Sequence, residues 1–182
     1  MHDVTFRRAV EADTLTLSML ATQIFLDTYA TDGIRPAVAR EVQAQLGPAA
    51  IEALLSRSDT RLVVAECAQH LVGFMQSTAG ARHALVPQRP AVELDRLYVQ
   101  EPFTRRGLGK ALLAHAEAHA VAQGAAVLWL TCWVHNAPAL AFYARQGYAE
   151  LGSTDYEFDG ERHENRVFAK ALLPVPFLRP DR

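Results

Sequence analysis

The segment from Glu93 to Leu113, ELDRLYVQEPFTRRGLGKALL, constrains the fold more than any other part of the chain. Its first part predicts a strand over Ala91–Val99. A short loop follows, and a helix is predicted to begin at Arg106-Gly107-Leu108-Gly109. The segment therefore predicts a strand–loop–helix unit with two glycines at the turn into the helix.

The residue types at this turn suit a phosphate group. Gly107 and Gly109 let the backbone approach a ligand closely. A helix N-terminus also offers unpaired N–H groups and a partial positive charge, which favour a bound anion. Arg105, Arg106 and Lys110 add full positive charges beside those amides. The turn is therefore predicted to hold a pyrophosphate.

Two common nucleotide motifs do not account for this turn. A Walker loop requires Gly-Lys-Ser/Thr after the first glycine and its four-residue spacer, and that sequence does not follow Gly107. The dinucleotide fingerprint requires a third glycine and an acidic residue that ends a second strand about 20 residues further on. A nucleotide-binding protein that uses the same glycine turn is thus disfavoured.

A second segment, Asn136-Ala-Pro-Ala-Leu-Ala-Phe-Tyr-Ala-Arg-Gln-Gly-Tyr148, follows further along the chain. Together the two segments resemble motifs A and B of the GCN5-related N-acetyltransferase superfamily, and the likeness runs from about Val4 to Ala171. The superfamily usually has Gln or Arg three residues before the first glycine, where this chain has Thr104. The residues that match motif B are Asn136, Ala139, Phe142, Tyr143, Gly147 and Tyr148.

The resemblance implies acetyl-coenzyme A as the cosubstrate. Its thioester arm would lie in a gap between the strand that ends at Val99 and the strand that ends at Val134, paired to strand backbone. Thr104 is expected to weaken the side-chain contact to the pyrophosphate, whereas the backbone amides are unaffected by the change. The residues assigned in this way to the cosubstrate are Leu97, Tyr98, Val99, Arg105, Arg106, Gly107, Leu108, Gly109, Lys110, Asn136 and Tyr143.

Aminolysis of a thioester requires a neutral amine, whereas a lysine-like amine with a pKa near 10.4 is mostly protonated at neutral pH. A carboxylate beside the acceptor can attract the cation and accept its proton. By register from the first glycine, Glu93 matches the superfamily's catalytic glutamate, and Asp95 and water are the alternative bases. Strand alternation predicts that one face carries Glu93, Asp95, Leu97 and Val99 and the other carries Val92, Leu94, Arg96 and Tyr98.

Tyr143 matches the tyrosine that often protonates the departing thiolate in this superfamily. A phenol near pKa 10 is a weak acid but a reasonable match to a thiolate near 8.5. The alternative for Tyr143 is simple packing with a satisfied hydroxyl. Asn136 is predicted both to cap a helix and to contact the pantetheine arm.

Composition narrows the class of protein. The 182 residues fit one domain, expected over residues 1–172, followed by a proline-rich tail over residues 173–182. A net charge of −2 gives no support for non-specific nucleic-acid binding. No apolar run reaches the roughly 18 residues of a membrane span, and no apolar signal core opens the chain. A cytoplasmic location without a membrane partner is therefore expected.

No metal site is predicted. Cys67 and Cys132 each fall in a predicted strand without metal-ligand spacing, and Cys132 is expected to be buried, reduced and inert. His115 and His119 lie four residues apart on a predicted helix, but the segment is not His-Glu-x-x-His. These two histidines are expected at the surface.

The predicted order of elements is β-ααα-ββ-β-α-β-α-β-β. This order gives an α/β (α+β) domain with a mixed, largely antiparallel sheet and helices on both faces. It is also the order of the superfamily, which further implies a splayed central strand pair.

The resemblance implies transfer of an acetyl group to a primary amine by direct attack in a ternary complex. Within the superfamily, Glu-Leu-Asp-Arg-Leu-Tyr-Val is similar to bacterial spermine/spermidine acetyltransferases. Asp27, Asp32, Glu93 and Asp95 would suit a polycation. Another small amine, an antibiotic amine or a protein N-terminus is an open alternative for the acceptor, and a homodimer is also open. The alternative function is a module that binds acyl-coenzyme A without turnover.

Overall fold

The computed structural model describes residues 3–172. The predicted proline-rich tail, residues 173–182, lies outside the described residues. Within the described range, seven strands and five α-helices follow one another in the predicted order: β1 (Val4–Arg8), α1 (Thr14–Tyr29), α2 (Pro36–Leu46), α3 (Pro48–Ser56), β2 (Thr60–Cys67), β3 (His70–Ala79), β4 (Ala91–Val99), α4 (Leu108–Ala122), β5 (Val127–Trp133), α5 (Ala137–Arg145), β6 (Ala149–Phe158) and β7 (Glu161–Ala171).

Local sequence explains where several elements begin and turn. Pro36 and Pro48 occupy the first turn of α2 and α3, where a missing N–H costs nothing. Asp159 and Gly160 both have positive φ, 52° and 78°, which closes the hairpin between β6 and β7. The sequence signals at these positions are therefore confirmed.

The strands form one sheet in the order β1-β2-β3-β4-β5-β7-β6. All neighbouring pairs in the described sheet are antiparallel except β4 and β5, which run parallel. These two strands pair only from Ala91 opposite Val127 to Glu93 opposite Trp129, and both continue beyond that point. The splayed central pair is therefore present, and the gap opens directly after Glu93.

Helices cover both faces of the sheet. On one face α1 and α3 bury residues such as Leu17, Ile51 and Phe74 against the sheet. On the other face α4 and α5 enclose a larger core that includes Leu112 and Leu128. The splay and the two covered faces confirm the predicted fold class.

The strict alternation predicted for β4 is wrong. Gln76 of β3 pairs with Arg96 but the next residue, Ser77, pairs with Leu94, so Asp95 is an extra residue that forms a β-bulge. Beyond the bulge, the odd-numbered residues lie on the face that the even-numbered residues occupy before it, and the reverse. Leu97 and Val99 pack with the core under α4 instead of beside Glu93.

Two other side chains of β4 also lie on the face opposite to the one predicted. Arg96 and Tyr98 lie on the same side of the sheet as Glu93, where the three residues line one cleft. A bulge therefore brings an arginine and a tyrosine to the face that the sequence pattern assigns to Leu97 and Val99.

The prediction that His119 lies at the surface is also wrong. His119 faces the sheet and is buried, with its Nδ1 atom 2.8 Å from the Oγ atom of Ser77. Burial and the nearby cations Arg61 and Arg8 lower the pKa of His119, so the neutral ring is favoured. His115 is exposed as expected and packs against Phe6.

Candidate active site

The turn before α4 has the geometry of an anion-binding loop. Gly107 immediately precedes the helix with φ of 85°, a left-handed conformation that glycine adopts without strain. The first backbone bond of this helix runs from the N–H of Ala111 to the carbonyl of Gly107, at 3.0 Å. The amides of Leu108, Gly109 and Lys110 precede that bond, so they have no acceptor within the helix.

Basic side chains surround these amides. Arg105 and Arg106 are exposed at the turn, and the Arg106 guanidinium lies 5.3 Å from the centre of the Phe103 ring. A β-carbon added to Gly107 would meet no atom within 4 Å, so the space above the turn is open. The predicted residues Arg105–Lys110 therefore meet at one open, electropositive turn.

Thr104 contributes differently from the usual Gln or Arg. Its hydroxyl donates a hydrogen bond to the carbonyl oxygen of Glu101, at 2.9 Å, and the residue is exposed. The hydroxyl therefore supports the loop and leaves the open space above the turn to the amides and the arginines.

The gap between β4 and β5 opens after Glu93 and extends to the end of β4 at Val99, from which the chain continues into this turn. From Leu94 to Val99 the edge of β4 that faces β5 has no strand partner among the described residues. Backbone groups along this edge are thus free for an extended ligand, as expected near Leu97 and Val99. Their side chains point into the α4 core, whereas Tyr98 packs edge-on against Phe74 on the other face.

Asn136 begins α5 beside the far end of β5. Its side-chain oxygen accepts a hydrogen bond from the N–H of Ala139, at 3.2 Å. The predicted cap is therefore confirmed, and the contact to the pantetheine arm stays a prediction.

Tyr143 extends from α5 into the core. It is 8% exposed, and its ring packs against Phe142, Tyr148 and Phe168. Burial raises the pKa of its phenol above the ordinary value, and the nearby groups of Cys132 and Tyr29 raise it further. Cys132 lies on β5 and Tyr29 ends α1 on the opposite face of the sheet. The Tyr143 hydroxyl is therefore directed toward the gap between β4 and β5.

A cleft of about 1350 Å³ opens on the α1–α3 side of β4 and β5. Its wall includes α2 and the β6–β7 hairpin, which are joined by a 2.6 Å hydrogen bond from the Tyr156 hydroxyl to Glu41. A second link joins Arg35 to Glu161, at 3.0 Å. The side chains from β3, β4 and β5 that line the cleft are Gln76, Glu93, Asp95, Arg96, Tyr98, Thr131 and Trp133.

Glu93 and Asp95 both line this cleft. Burial, together with the charge of Asp95, raises the pKa of Glu93 to about 7. Burial also raises the pKa of Asp95, against the hydrogen bond that the Thr78 hydroxyl donates to it at 2.8 Å. Glu93 is therefore close to half ionised at neutral pH, which suits proton exchange with an amine.

Several cleft residues have no signal in the sequence pattern. Tyr29 ends α1 and Tyr156 lies on β6, far apart in the chain, yet both line the cleft. Arg96 is assigned to the wrong face because a bulge has no reliable single-sequence signature. The acidic residues Asp32, Glu93 and Asp95 line the cleft, whereas Asp27 is absent from its described lining.

Within residues 3–172 no three side chains of His, Cys, Asp or Glu are grouped so that they would hold a metal ion. No helix in the same part of the chain is both long and apolar enough to cross a membrane.

Comparison with known families identifies the class. The model of the Acetyltransferase (GNAT) family matches residues 24–148, which is more than half of the chain. The chain therefore belongs to the GNAT acetyltransferase family, and the predicted family is confirmed. This family uses acetyl-coenzyme A as its cosubstrate.

Two curated relatives are similar over part of their length. An uncharacterized N-acetyltransferase in the pepI 3'region of Lactobacillus delbrueckii subsp. lactis is 34% identical over 82 residues, 45% of this chain and 47% of that protein. Streptothricin acetyltransferase of Streptomyces lavendulae is 31% identical over 120 residues, 65% of this chain and 60% of that protein. The matched segments thus span between about half and three fifths of these relatives.

A solved structure supports the fold over nearly the whole chain. The PaiA N-acetyltransferase from Thermoplasma acidophilum, crystallised in complex with coenzyme A, superimposes with a TM-score of 0.71 at 21% sequence identity. The superposition covers 93% of this chain and 99% of that one. The predicted GNAT-type architecture is therefore confirmed.

Proposed function

We propose that the protein transfers an acetyl group from acetyl-coenzyme A to a primary amine by direct attack in a ternary complex. The observation that carries this proposal is the arrangement around the splayed strands. The helix α4, which follows the electropositive turn, packs on one face of the splayed strands, and the cleft with Glu93 and Asp95 lies on the other face. A bound thioester and an amine would thus meet between β4 and β5.

The residues present fit acetyl-coenzyme A, which supplies the activated acetyl thioester when bound. The amides of Leu108, Gly109 and Lys110 would bind the pyrophosphate, with Arg105 and Arg106 adding charge. The unpaired edge of β4 would hold the arm through backbone hydrogen bonds. Asn136 would contact the arm from the start of α5.

Glu93 would bind the acceptor ammonium and accept its proton. Its pKa near 7 places the carboxylate close to the operating pH, where a general base is most effective. Asp95 beside it would help hold the cation, and either Asp95 or water is the alternative base.

Tyr143 would donate the proton that the departing thiolate requires. Its raised pKa makes the phenol a weaker acid than it is in water. The same surroundings raise the pKa of the Cys132 thiol to about 11, so a thiolate released there is also a stronger base. The stronger base offsets part of the acidity that the phenol loses through burial.

The acceptor would be a small primary amine. The name of the Streptomyces lavendulae relative indicates an antibiotic amine as its substrate, which keeps that class open here. Asp32, Glu93 and Asp95 supply the negative charge on which the polyamine hypothesis rests. A protein N-terminus would also carry the required amine, and the cytoplasmic location stays a prediction.

The test is thiol release from acetyl-coenzyme A across a panel of amines, with calorimetry of coenzyme A and ATP alongside. We expect acetyl-coenzyme A to bind, ATP not to compete, and thiol release to depend on an added amine. Binding without turnover for every amine would instead favour a module that senses acyl-coenzyme A. Tighter binding of ATP would overturn the assignment of the cosubstrate.

A further inference from the structure

An arginine stands beside the two carboxylates of the cleft. Arg96 follows the bulge on β4, and its Nη1 atom donates a hydrogen bond to the side-chain oxygen of the buried Gln76. Arg96 forms no hydrogen-bonded ion pair with a carboxylate of residues 3–172, although its charge acts to lower the pKa of the adjacent Asp95. A guanidinium has five N–H donors in a planar fork, so most of the hydrogen-bonding capacity of Arg96 is unused by acids of the described chain.

Phenol groups surround this guanidinium. Arg96 lines the cleft together with Tyr29, Tyr98 and Tyr156, and its charge acts on all three phenols. Tyr156 is already bonded to Glu41, but the hydroxyls of Tyr29 and Tyr98 can still donate. Because the ring of Tyr29 packs on Trp133, with centroids 5.7 Å apart, this hydroxyl is held in place.

The other charged groups of the cleft are already engaged or lie at its rim. Arg57 pairs with Asp59 at 2.8 Å, and Arg35 pairs with Glu161. Asp32 is exposed. The inner part of the cleft therefore presents the acids of β4 and, directly after Asp95, an arginine that forms no hydrogen-bonded ion pair with an acid of the described chain.

We propose that Arg96, with the hydroxyls of Tyr29 and Tyr98, binds a carboxylate of the acceptor, so that the acceptor is an amino acid or a similar amine that carries a carboxylate. This inference rests on the proposed function and specifies its substrate class. The amine would lie at Glu93 and Asp95 while the carboxylate occupies the fork of Arg96.

Electrostatics distinguishes this substrate from a linear polyamine. In an amine that carries a carboxylate, the ammonium is opposite in charge to Glu93 and Asp95, and the carboxylate is opposite in charge to Arg96. A polyamine bound at Glu93 would bring a second ammonium close to Arg96, where like charges repel in a partly buried site. Arg96 lies three residues after Glu93 along the strand, a backbone span of about 10 Å that the bulge shortens.

The experiment compares each acid with its own amide. Thiol release is measured for α-amino acids and for ω-amino acids of increasing chain length, each beside its carboxamide, with spermidine as the polycation. We expect wild-type kcat/KM to be about 10- to 100-fold higher for the preferred acid than for its amide, which is the usual strength of a hydrogen-bonded charge pair. The difference should lie mainly in KM.

Substitutions then assign the preference to one residue. In Arg96→Gln the acid and its amide should become nearly equal, and Arg96→Lys should restore only part of the preference because it lacks the fork. Arg57→Gln is the matched control, since it removes an arginine from the lining of the same cleft and should leave the acid-to-amide ratio unchanged. Comparing ratios between proteins cancels the intrinsic difference in basicity between the two amines.

A binding measurement separates this inference from the proposed function. Calorimetry of the same acids and amides is performed on the protein saturated with coenzyme A, which needs no turnover. Binding of an acid but not its amide, lost in Arg96→Gln, supports the carboxylate site even where no amine is acetylated. Equal binding of acid and amide, a preference retained in Arg96→Gln, or a preference for spermidine over every acid would overturn it.

Discussion

The turn before α4 presents backbone amides from one continuous segment, whereas the cleft on the other side of β4 presents side chains from distant elements. At the turn, a positive φ at Gly107 and the start of the helix suffice to orient the amides of Leu108 and Gly109. The cleft instead requires α1, β3, β4 and β6 to be in place before Tyr29 and Tyr156 can meet Arg96.

This difference explains what each region can do. A site made of backbone amides tolerates side-chain substitution and binds a ligand that is constant, such as a pyrophosphate. A site made of side chains from several elements changes its preference with each substitution. In this protein the first type would serve the cosubstrate, and the second would select the acceptor.

The largest effect is expected where a side chain is added to the turn. Gly109→Val should lower the affinity for coenzyme A by more than about 100-fold, because the added methyl groups displace the pyrophosphate from at least two charge-assisted bonds. Calorimetry measures the affinity. A folded variant that binds coenzyme A normally would show that the phosphate site lies elsewhere.

Gly109→Ala is the matched control for this prediction. A β-carbon there would lie 3.6 Å from the Phe142 ring, an ordinary contact, so the apo protein should fold. We expect this variant to keep most of its affinity. Gly107 is less suitable for the test because any side chain at φ of 85° is strained whatever the ligand does.

Tyr143 would act where the cosubstrate and the acceptor meet, so Tyr143→Phe tests its role as the proton donor. The phenyl ring preserves packing against Phe142 and Phe168, and affinity for coenzyme A should change little. The rate constant should fall about 100-fold, the low end for a positioned general acid, because a thiolate leaves tolerably without help. The measurement is thiol release at saturating substrates, with melting temperature alongside.

Tyr148→Phe serves as the matched control. It removes the hydroxyl that donates to Glu117 at 3.1 Å, in the same aromatic cluster but bonded to α4. Turnover in this variant should stay within a few-fold of wild type. Near-normal turnover in Tyr143→Phe as well would show that Tyr143 is only a packing residue.

The turn could be predicted from the sequence because its determinants are local. Gly107 and the three basic residues are neighbours in the chain, and their geometry follows from the start of one helix. The order of elements could also be predicted, because Pro36 and Pro48 mark the starts of two helices and Asp159-Gly160 marks a hairpin turn. These predictions depend on few long-range contacts.

The cleft could be predicted only in part. Glu93 and Asp95 follow from motif register, but the bulge at Asp95 reverses the faces of Leu97, Arg96 and Tyr98. A bulge depends on how β4 pairs with β3, and the sequence of β4 alone does not predict it. The burial of His119 could not be predicted for the same reason, because it depends on contact with Ser77 of β3.

A smaller effect on activity is expected at the cleft for Glu93→Gln. Near neutral pH the activity should fall about 10-fold, below the usual range for a general base because Asp95 remains to bind the amine. It should recover partly as the pH rises and more free amine is present. Initial rates across pH measure this, and Asp95→Asn is the matched variant. A loss in Asp95→Asn with none in Glu93→Gln would assign the base to Asp95.

The same variant should change stability with a defined sign. The pKa of Glu93 in the folded protein, about 7, lies above its ordinary value of 4.5, so burying the charged form costs stability above pH 7. This cost disappears as the pH falls below about 4.5. Glu93→Gln should therefore raise the free energy of unfolding by on the order of 2 kcal/mol at about pH 8 and change it little at low pH. Denaturant unfolding at both pH values measures it.

The smallest effect is expected from restoring the usual side chain beside the turn. Thr104 is exposed, and within residues 3–172 its hydroxyl bonds only to the carbonyl of Glu101, so replacing it should cost little stability. In Thr104→Gln the longer amide would reach the pyrophosphate, adding one hydrogen bond to a charged group. Coenzyme A should bind about 3- to 10-fold more tightly. Thr104→Ser, which keeps the hydroxyl, should bind as the wild type does. Because the cleft is built from other elements, KM for the acceptor amine should not change in either variant. Weaker binding of coenzyme A in Thr104→Gln, or a changed acceptor KM, would contradict the separation of the two regions.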